Sequence, residues 1–419
     1  MIQTIRGFRD ILPGDTDLWQ TIEKTASALF EDFGFQEIRL PVIEKTELFA
    51  RSIGEATDIV EKEMYTFADR KGDKLTLRPE ATASAVRSYI QHKMYAADPV
   101  KKLYTIGPMF RRERPQKGRY RQFYQINAEV FGIASPYIDA QMILMLNELF
   151  QRLGLTDLKA HVNSLGCPRC RPEFQKALTA FLASKKEGLC SNCTRRMDKN
   201  PLRTLDCKAP GCREALADAP SPLDRLCEKC TDHFNTVKTV LDQQNVDFIV
   251  DKNLVRGLDY YSRTAFEIQT SALGAQSAVA GGGRYDALVQ ELGGPPSPAI
   301  GFAIGFDRLV EIVSQLTAKQ EEKGPELFII TPGAGSVEKG YLLSSGLNLK
   351  GVRTEMDFGQ RSLKSLMKRA DKLHARHVLI MGEEELDTNA LVLRNMTDRT
   401  QTTISADDAL NELLTRLGH

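Results

Sequence analysis

Between Met109 and Gly132 the chain reads MFRRERPQKGRYRQFYQINAEVFG. Arg111 and Glu113 stand two apart on one face of a strand, and a loop rich in Arg114, Lys117, Arg119 and Arg121 follows. On the strand after it, Arg121, Phe123, Gln125, Asn127 and Glu129 share one face, because side chains alternate with period two. That face is polar where an ordinary sheet face is apolar. It could be merely solvated, with its arginines paired to nearby acids. It could equally serve an anionic ligand, since fixed guanidinium groups stabilise growing negative charge bidentately.

Other segments carry groups of the same kind. Thr76 to Thr82, TLRPEAT, ends a strand with another arginine and sets Glu80 and Thr82 at a turn into a helix. Leu254 to Ser262, LVRGLDYYS, places Arg256 beside a glycine and the pair Tyr260 and Tyr261. Gly281 to Asp286, GGGRYD, puts three glycines among strand formers, which marks the close approach of a ligand or of another backbone. GFAIGFDRLV, from Gly301, is a strand-to-helix unit holding Arg308. All eight cysteines fall between Cys167 and Cys230. Cys167 and Cys170, Cys190 and Cys193, and Cys227 and Cys230 are C-x2-C pairs, with Cys207 and Cys212 a looser fourth. Four such pairs could hold two zinc ions by four thiolates each, or could remain reduced thiols without metal.

The elements that must position these groups can be read from periodicity. Leu18, Ile22, Ala26, Leu29 and Phe33 recur at helical steps before Gly34, so Asp17 to Phe33 is predicted as an amphipathic helix, with a strand from Glu37 to Ile43 after it. Strands are predicted at Leu103 to Gly107, Gln122 to Phe131 and Ala265 to Thr270, and a helix at Tyr137 to Leu153; the hairpin spacing favours an antiparallel sheet. The cysteine-rich texture between Val162 and Val250 looks like an insertion, and the polar run Ala318 to Gly324 like a linker. Beyond it, strand-like Leu327 to Thr331, Arg353 to Met356 and His377 to Met381 alternate with helical segments, as in a small α/β domain. The 419 residues suggest two or three domains, with 42% hydrophobic and 26% charged residues in ordinary globular proportion. The absence of a long uncharged apolar run argues against secretion or membrane spanning and for a cytoplasmic protein. A net charge of +1 does not mark a general nucleic-acid binder, so any RNA contact must come from local patches. One is the basic stripe of Lys364, Lys368, Arg369 and Lys372, which could also be a solvated helix face.

Taken in order, these strings resemble the three motifs of class II aminoacyl-tRNA synthetases and the two strings peculiar to the histidyl-tRNA synthetase family in bacteria. Gly34 to Pro41 is similar to motif 1, Phe110 to Glu113 with its loop and return strand to motif 2, and Gly301 to Arg308 to motif 3. Leu254 to Tyr261 and Gly281 to Tyr285 resemble the histidine-specific strings. The resemblance implies an α+β catalytic domain over 1–320 built on an antiparallel sheet. It also implies a cysteine-rich insertion at 165–250 and an anticodon-binding α/β domain over 325–419. It implies a ligase that converts L-histidine and ATP, with Mg²⁺, to histidyl-adenylate and passes histidine to tRNA-His, as a homodimer whose interface includes motif 1.

Residue by residue, the resemblance assigns Arg111 and Arg256 to the α-phosphate. Arg111, Glu113, Arg121, Phe123 and Arg308 go to ATP, with Phe123 and Arg308 sandwiching the adenine. Glu129 and Tyr261 go to the imidazole ring, and Glu80, Thr82 and Gln125 to the ammonium end. Tyr260 is a further pocket residue, which could also be a packed core tyrosine. In the motif 2 loop, Arg114 and Gln116 are assigned to the tRNA acceptor end. Zinc is not a general requirement of the family. A related histidine-sensing regulatory subunit of ATP phosphoribosyltransferase generally lacks the anticodon domain and erodes motif 2, whereas Arg111, Glu113, Arg256 and Arg308 are all present here. The histidine-specific strings argue against a synthetase for proline or glycine.

Overall fold

The computed structural model describes residues 2–54, 57–115, 118–270, 278–316, 324–359 and 361–419, in two compact units, Met1–Ala318 and Lys319–His419. The first is built on an eight-stranded sheet. Across the sheet the strands run Gln36–Glu37, Lys101–Phe110, Gln122–Phe131, Ala299–Gly305, Ala278–Arg284, Ser262–Thr270, Leu158–Ser164 and Phe248–Val250. The six central strands pair antiparallel, and only the two outermost pairings are parallel.

Period-two alternation decides the sheet's two faces. On Gln122–Phe131, Ile126, Ala128 and Val130 point into a core closed by the helices Asp15–Asp32, Pro136–Arg152, Glu228–Gln243 and Phe306–Leu316. Phe30, Phe150, Phe302 and Phe306 are fully buried there or nearly so, each contributing about 1.5 to 3 kcal/mol of transfer free energy. The intervening residues Gln125, Asn127 and Glu129 therefore face the opposite side, as the sequence alternation requires.

Most predicted elements lie within a residue or two of the observed ones. Gly34 has φ +79° just past the first helix, where a β-carbon would be strained. The predicted strand from Glu37 to Ile43 is instead two short strands, Gln36–Glu37 and Ile43–Lys45. Pro41 has no N–H for a ladder, and the carbonyls of Leu40 and Pro41 accept from the buried Arg78 guanidinium at 2.9 and 3.5 Å. Ile43–Lys45 joins a separate three-stranded sheet with Lys74–Leu77 and Tyr65–Ala68.

After Leu158–Ser164 the chain leaves the large sheet and returns to it at Phe248–Val250. Between them lie the helices Arg171–Ser184, Ser191–Lys199, Pro210–Ala215 and Glu228–Gln243. The second unit is a five-stranded sheet ordered Thr354–Met356, Leu327–Ile330, His377–Ile380, Ala390–Asn395 and Gln401–Ser405. Its first three strands are parallel, and the last two form a hairpin that periodicity did not reveal. On its helix Leu363–Lys372, Lys364, Lys368 and Lys372 are exposed, while Arg369 turns to pair with Asp357. Most of the predicted linker, Ala318 to Gly324, lies outside the described residues. No helix among the described residues is long and apolar enough to cross a membrane.

Candidate active site

The register of the sheet sets each polar residue of Gln122–Phe131 opposite a small one. Glu129 pairs with Gly301, Asn127 with Ala303 and Gln125 with Gly305. The neighbouring strand adds Gly281 opposite Ala303 and Gly283 opposite Gly301. Small residues on one side leave room above the sheet for the long ones on the other. Gln125, Asn127 and Glu129 are 9%, 1% and 2% exposed, which excludes the reading of this face as simply solvated.

Over this floor opens a cavity of about 350 Å³. Arg111, Glu113, Phe123, Gln125, Arg256 and Arg308 all line it, although they come from four separate segments of the sequence. Arg111 donates from Nε to the Pro79 carbonyl at 2.9 Å, and its guanidinium lies 5.2 Å from the Phe123 ring centre. Arg256 donates to Glu267 at 2.5 Å and sits 5.6 Å from the Tyr261 ring, stretched over Gly281, where a β-carbon would collide with the guanidinium. Arg308 donates to the Ala278 carbonyl at 2.8 Å, and burial lowers its pKa.

Beneath the cavity lies a second layer. Glu129 accepts from the Thr82 hydroxyl at 2.6 Å and from the Tyr285 hydroxyl at 2.5 Å. Burial pushes its carboxyl up to about 8, against the opposing pull of those two hydrogen bonds. Glu80 accepts from the Thr82 and Ala83 amides at 2.6 and 2.8 Å, capping the helix Thr82–Gln91, and burial raises its carboxyl as well. Tyr260 packs 4.6 Å from Tyr261 and 5.6 Å from Tyr285, ring centre to ring centre. Several buried polar atoms make no hydrogen bond among the described residues: Gln125 Oε1, both amide atoms of Asn127 and Arg256 Nε. Such atoms are normally satisfied, so these suit a polar ligand or water.

One residue predicted for ATP sits elsewhere. Arg121 is not among the cavity's lining residues. Its guanidinium reaches the Glu113 and Arg6 carbonyls at 3.4 Å, held against the N-terminal segment at Gly7. Arg119 occupies the cavity in its stead, paired with Glu113 at 3.1 Å. The two arginines are two residues apart and so share a parity; alternation cannot choose between them. Arg114 is exposed, and Gln116 lies outside the described residues. Sequence reasoning also gave no role to Glu63 and Asp307 of the lining, to Glu267, or to Tyr285. Glu267, an acid in the otherwise apolar run Ala265 to Ile268, was the available signal. Arg284 of the GGGRYD string is fully buried and serves the frame. It grips Asp139 at 2.8 and 3.0 Å, while His233 approaches the same carboxylate at 2.7 Å. The four cysteine pairs, whose grouping the sequence left open, come together in space as Cys167, Cys170, Cys227 and Cys230, and as Cys190, Cys193, Cys207 and Cys212.

Comparison with known proteins gives the chain's family. The family model described as histidyl-tRNA synthetase matches residues 7–309, and that described as anticodon binding domain matches 326–416. A histidine–tRNA ligase of Desulforapulum autotrophicum is 74% identical, over 99% of this chain and 97% of that one. One from Desulfosudis oleivorans is 57% identical over 100% and 99%. The crystal structure of the apo S. aureus histidyl-tRNA synthetase superposes with a TM-score of 0.83 at 36% identity, covering 98% of this chain and 99% of that one. With a family model matched across most of its length and full-length relatives of this identity, the chain belongs to the histidyl-tRNA synthetase family.

Proposed function

We propose that the chain activates L-histidine with ATP to histidyl-adenylate and transfers the histidine to the 3′ end of tRNA-His, releasing diphosphate and then AMP. The observation that carries this reading is the two-layered site, with arginines around an open cavity above a buried layer of carboxylates and tyrosines. The cavity suits a nucleotide. Phe123 and Arg308 offer the two faces of an adenine slot, and Arg111 with Arg256 offers positive charge where the histidine carboxylate attacks the α-phosphate. A carboxylate is already a nucleophile, so positioning and electrostatics suffice for this step. Arg119 is the better candidate than Arg121 for the phosphate tail. Of the lining carboxylates, Asp307 is taken up by Arg9 and the Tyr124 amide, so Glu113 and Glu63 would be the ones to hold a Mg²⁺ that neutralises the phosphates of the nucleotide.

Glu129 with Tyr261 suits the imidazole ring, Gln125 with Thr82 and Glu80 the ammonium, and Tyr260 supports the ring pocket. A site of paired polar groups rejects ligands that leave its partners stranded. The domain reading is a catalytic part over 1–320, the insertion at 165–250 and an anticodon-binding part over 325–419. On this reading the insertion holds structural zinc, which takes no part as a reactant in either chemical step. ATP and tRNA as substrates place the activity in the cytoplasm. Pyrophosphate exchange assayed with each amino acid tests the reading as a whole. Histidine alone should stimulate it, and stimulation by another amino acid would refute the substrate.

Motif 1 suits an isologous two-fold contact, which supports a homodimer. Light scattering should give twice the chain mass of 46.9 kDa; a monomer at micromolar concentration would refute this. The exposed Arg114, together with Gln116, suits the 5′ end of the tRNA, where an arginine can meet the terminal phosphate and a glutamine a base edge. Arg114→Ala with Gln116→Ala should leave exchange nearly unchanged and slow aminoacylation of tRNA carrying the extra 5′ guanosine. On tRNA lacking that nucleotide the double variant should lose little more, because the coupling is already gone. Equal losses on both tRNAs would return the loop to ATP closure.

A further inference from the structure

We propose that the eight cysteines hold two zinc ions in nested tetrathiolate centres, and that the two centres clamp the Arg256–Tyr261 segment from its opposite ends. This rests on the structural-zinc reading and adds to it a pairing and a task. The outer centre is Cys167, Cys170, Cys227 and Cys230; the inner is Cys190, Cys193, Cys207 and Cys212.

The distances suit a single ion in each. A tetrahedron with Zn–S bonds of about 2.3 Å has its sulfurs about 3.8 Å apart. In the outer group the separations are 3.4 Å for Cys167–Cys170, 3.9 Å for Cys167–Cys227, 3.6 Å for Cys170–Cys227 and 3.7 Å for Cys170–Cys230. In the inner group Cys190 and Cys207 lie 3.9 Å apart, and all ligand atoms of each group fall within 4.8 Å of one another. A disulfide would need about 2.05 Å, and all eight cysteines are free. A cluster of several irons would push its ligands further apart. The backbone amides of Cys167 and Cys190 donate to the sulfurs of Cys170 and Cys212 at 3.3 and 3.1 Å, contacts that steady a thiolate ligand.

Chain order gives the two centres different jobs. The outer pairs stand at the two necks of the insertion, just before the helices Arg171–Ser184 and Glu228–Gln243, so one ion fastens both ends of the excursion. Arg171, next to Cys170, donates to the Tyr261 carbonyl at 3.2 Å. The inner centre closes the stretch between Cys193 and Cys207, and that stretch grips the other end. Asn200 donates to Asp259 at 2.7 Å, and Arg203 donates to the Gly257 carbonyl and pairs with Asp259 at 3.5 Å. Residues on the clamped segment supply Arg256 to the cavity and Tyr261 to the layer beneath it. Both ions thus act on histidine binding through backbone they do not touch.

Metal analysis of the full chain, purified without chelators, should give two zinc per chain, and Cys227→Ser or Cys207→Ser one each. Cobalt substituted for zinc should give the intense thiolate-to-metal absorption of two tetrahedral sites. Cys207→Ser should raise the histidine KM in pyrophosphate exchange about tenfold or more while sparing the ATP KM. Asn200→Ala leaves both cysteine groups intact, so it should keep two zinc and still raise the histidine KM. That variant keeps the test decisive if a cysteine variant fails to fold. A chain with eight titratable thiols and no zinc would overturn the metal and the clamp together. Two zinc per chain with an unchanged histidine KM in Asn200→Ala would overturn the clamp alone.

Discussion

Replacing Arg256 with alanine should lower the rate of histidine-dependent pyrophosphate exchange about 10²- to 10³-fold, equivalent to about 2.7 to 4 kcal/mol, with little change in histidine KM. The charge that this guanidinium would meet grows as the carboxylate attacks the α-phosphate, so its loss falls on the transition state rather than on ground-state binding. Arg256 is well held for that task, donating to Glu267 at 2.5 Å and lying over Gly281. Removing it also takes from Glu267 its ion-pair partner and leaves it, among the described residues, only the Gln269 amide at 3.2 Å, so Glu267→Gln is the companion variant. It keeps Arg256 but loosens it, and should show a smaller fall in rate. A raised histidine KM with kcat intact in Arg256→Ala would remove Arg256 from the reacting centre.

Glu129→Gln should raise the histidine KM about 10- to 150-fold, the equivalent of about 1.5 to 3 kcal/mol for a hydrogen bond to a charged group in a buried site. It should also change how stability depends on pH. Burial raises the Glu129 carboxyl from its ordinary value near 4.5 to about 8 in the unliganded protein. The folded state therefore binds a proton between those values that the unfolded state has released. The contribution of Glu129 to stability is fully present below about 4.5 and is lost as pH rises through about 8. Thermal melts of the ligand-free protein should fall in Tm between pH 6 and 9 more for the native chain than for Glu129→Gln. Parallel melts would mean that the carboxyl is not held in a low-dielectric layer.

What the sequence revealed follows from which physical rules are local. Alternation along Gln122–Phe131 is a property of the strand itself, so the shared face of Phe123, Gln125 and Glu129 could be read before any fold was known. The strand-to-helix turn at Gly305 and the C-capping Gly34 are equally local. The failures are those of partnership. Whether Arg119 or Arg121 enters the cavity is decided by the N-terminal segment at Gly7, more than a hundred positions away. Tyr285 acquires its role only because the sheet brings its hydroxyl to Glu129. In the hairpin, Ala390–Asn395 opens on an unbroken apolar run and Gln401–Ser405 holds Ile404 as its one apolar residue, so neither strand shows period-two alternation. The cysteines showed their spacing along the chain, but the nesting of the inner group within the outer is a fact of the folded insertion.

In and beside the site, charged side chains lie across bare backbone: Arg78 over Gly107, Arg256 over Gly281 and Glu129 over Gly301. None of these glycines has the positive φ that reserves a position for glycine, so what they contribute is vacancy. A methyl group at Gly301 would land on the Glu129 carboxylate, and one at Gly281 on the Arg256 guanidinium. A saturation-mutagenesis survey scored by growth should therefore find residues without any functional group behaving as intolerantly as the charged residues they accommodate. Alanine, elsewhere the mildest of replacements, would be scored as a catalytic lesion there. The ancestry of such a site constrains empty volume as strictly as it constrains charge.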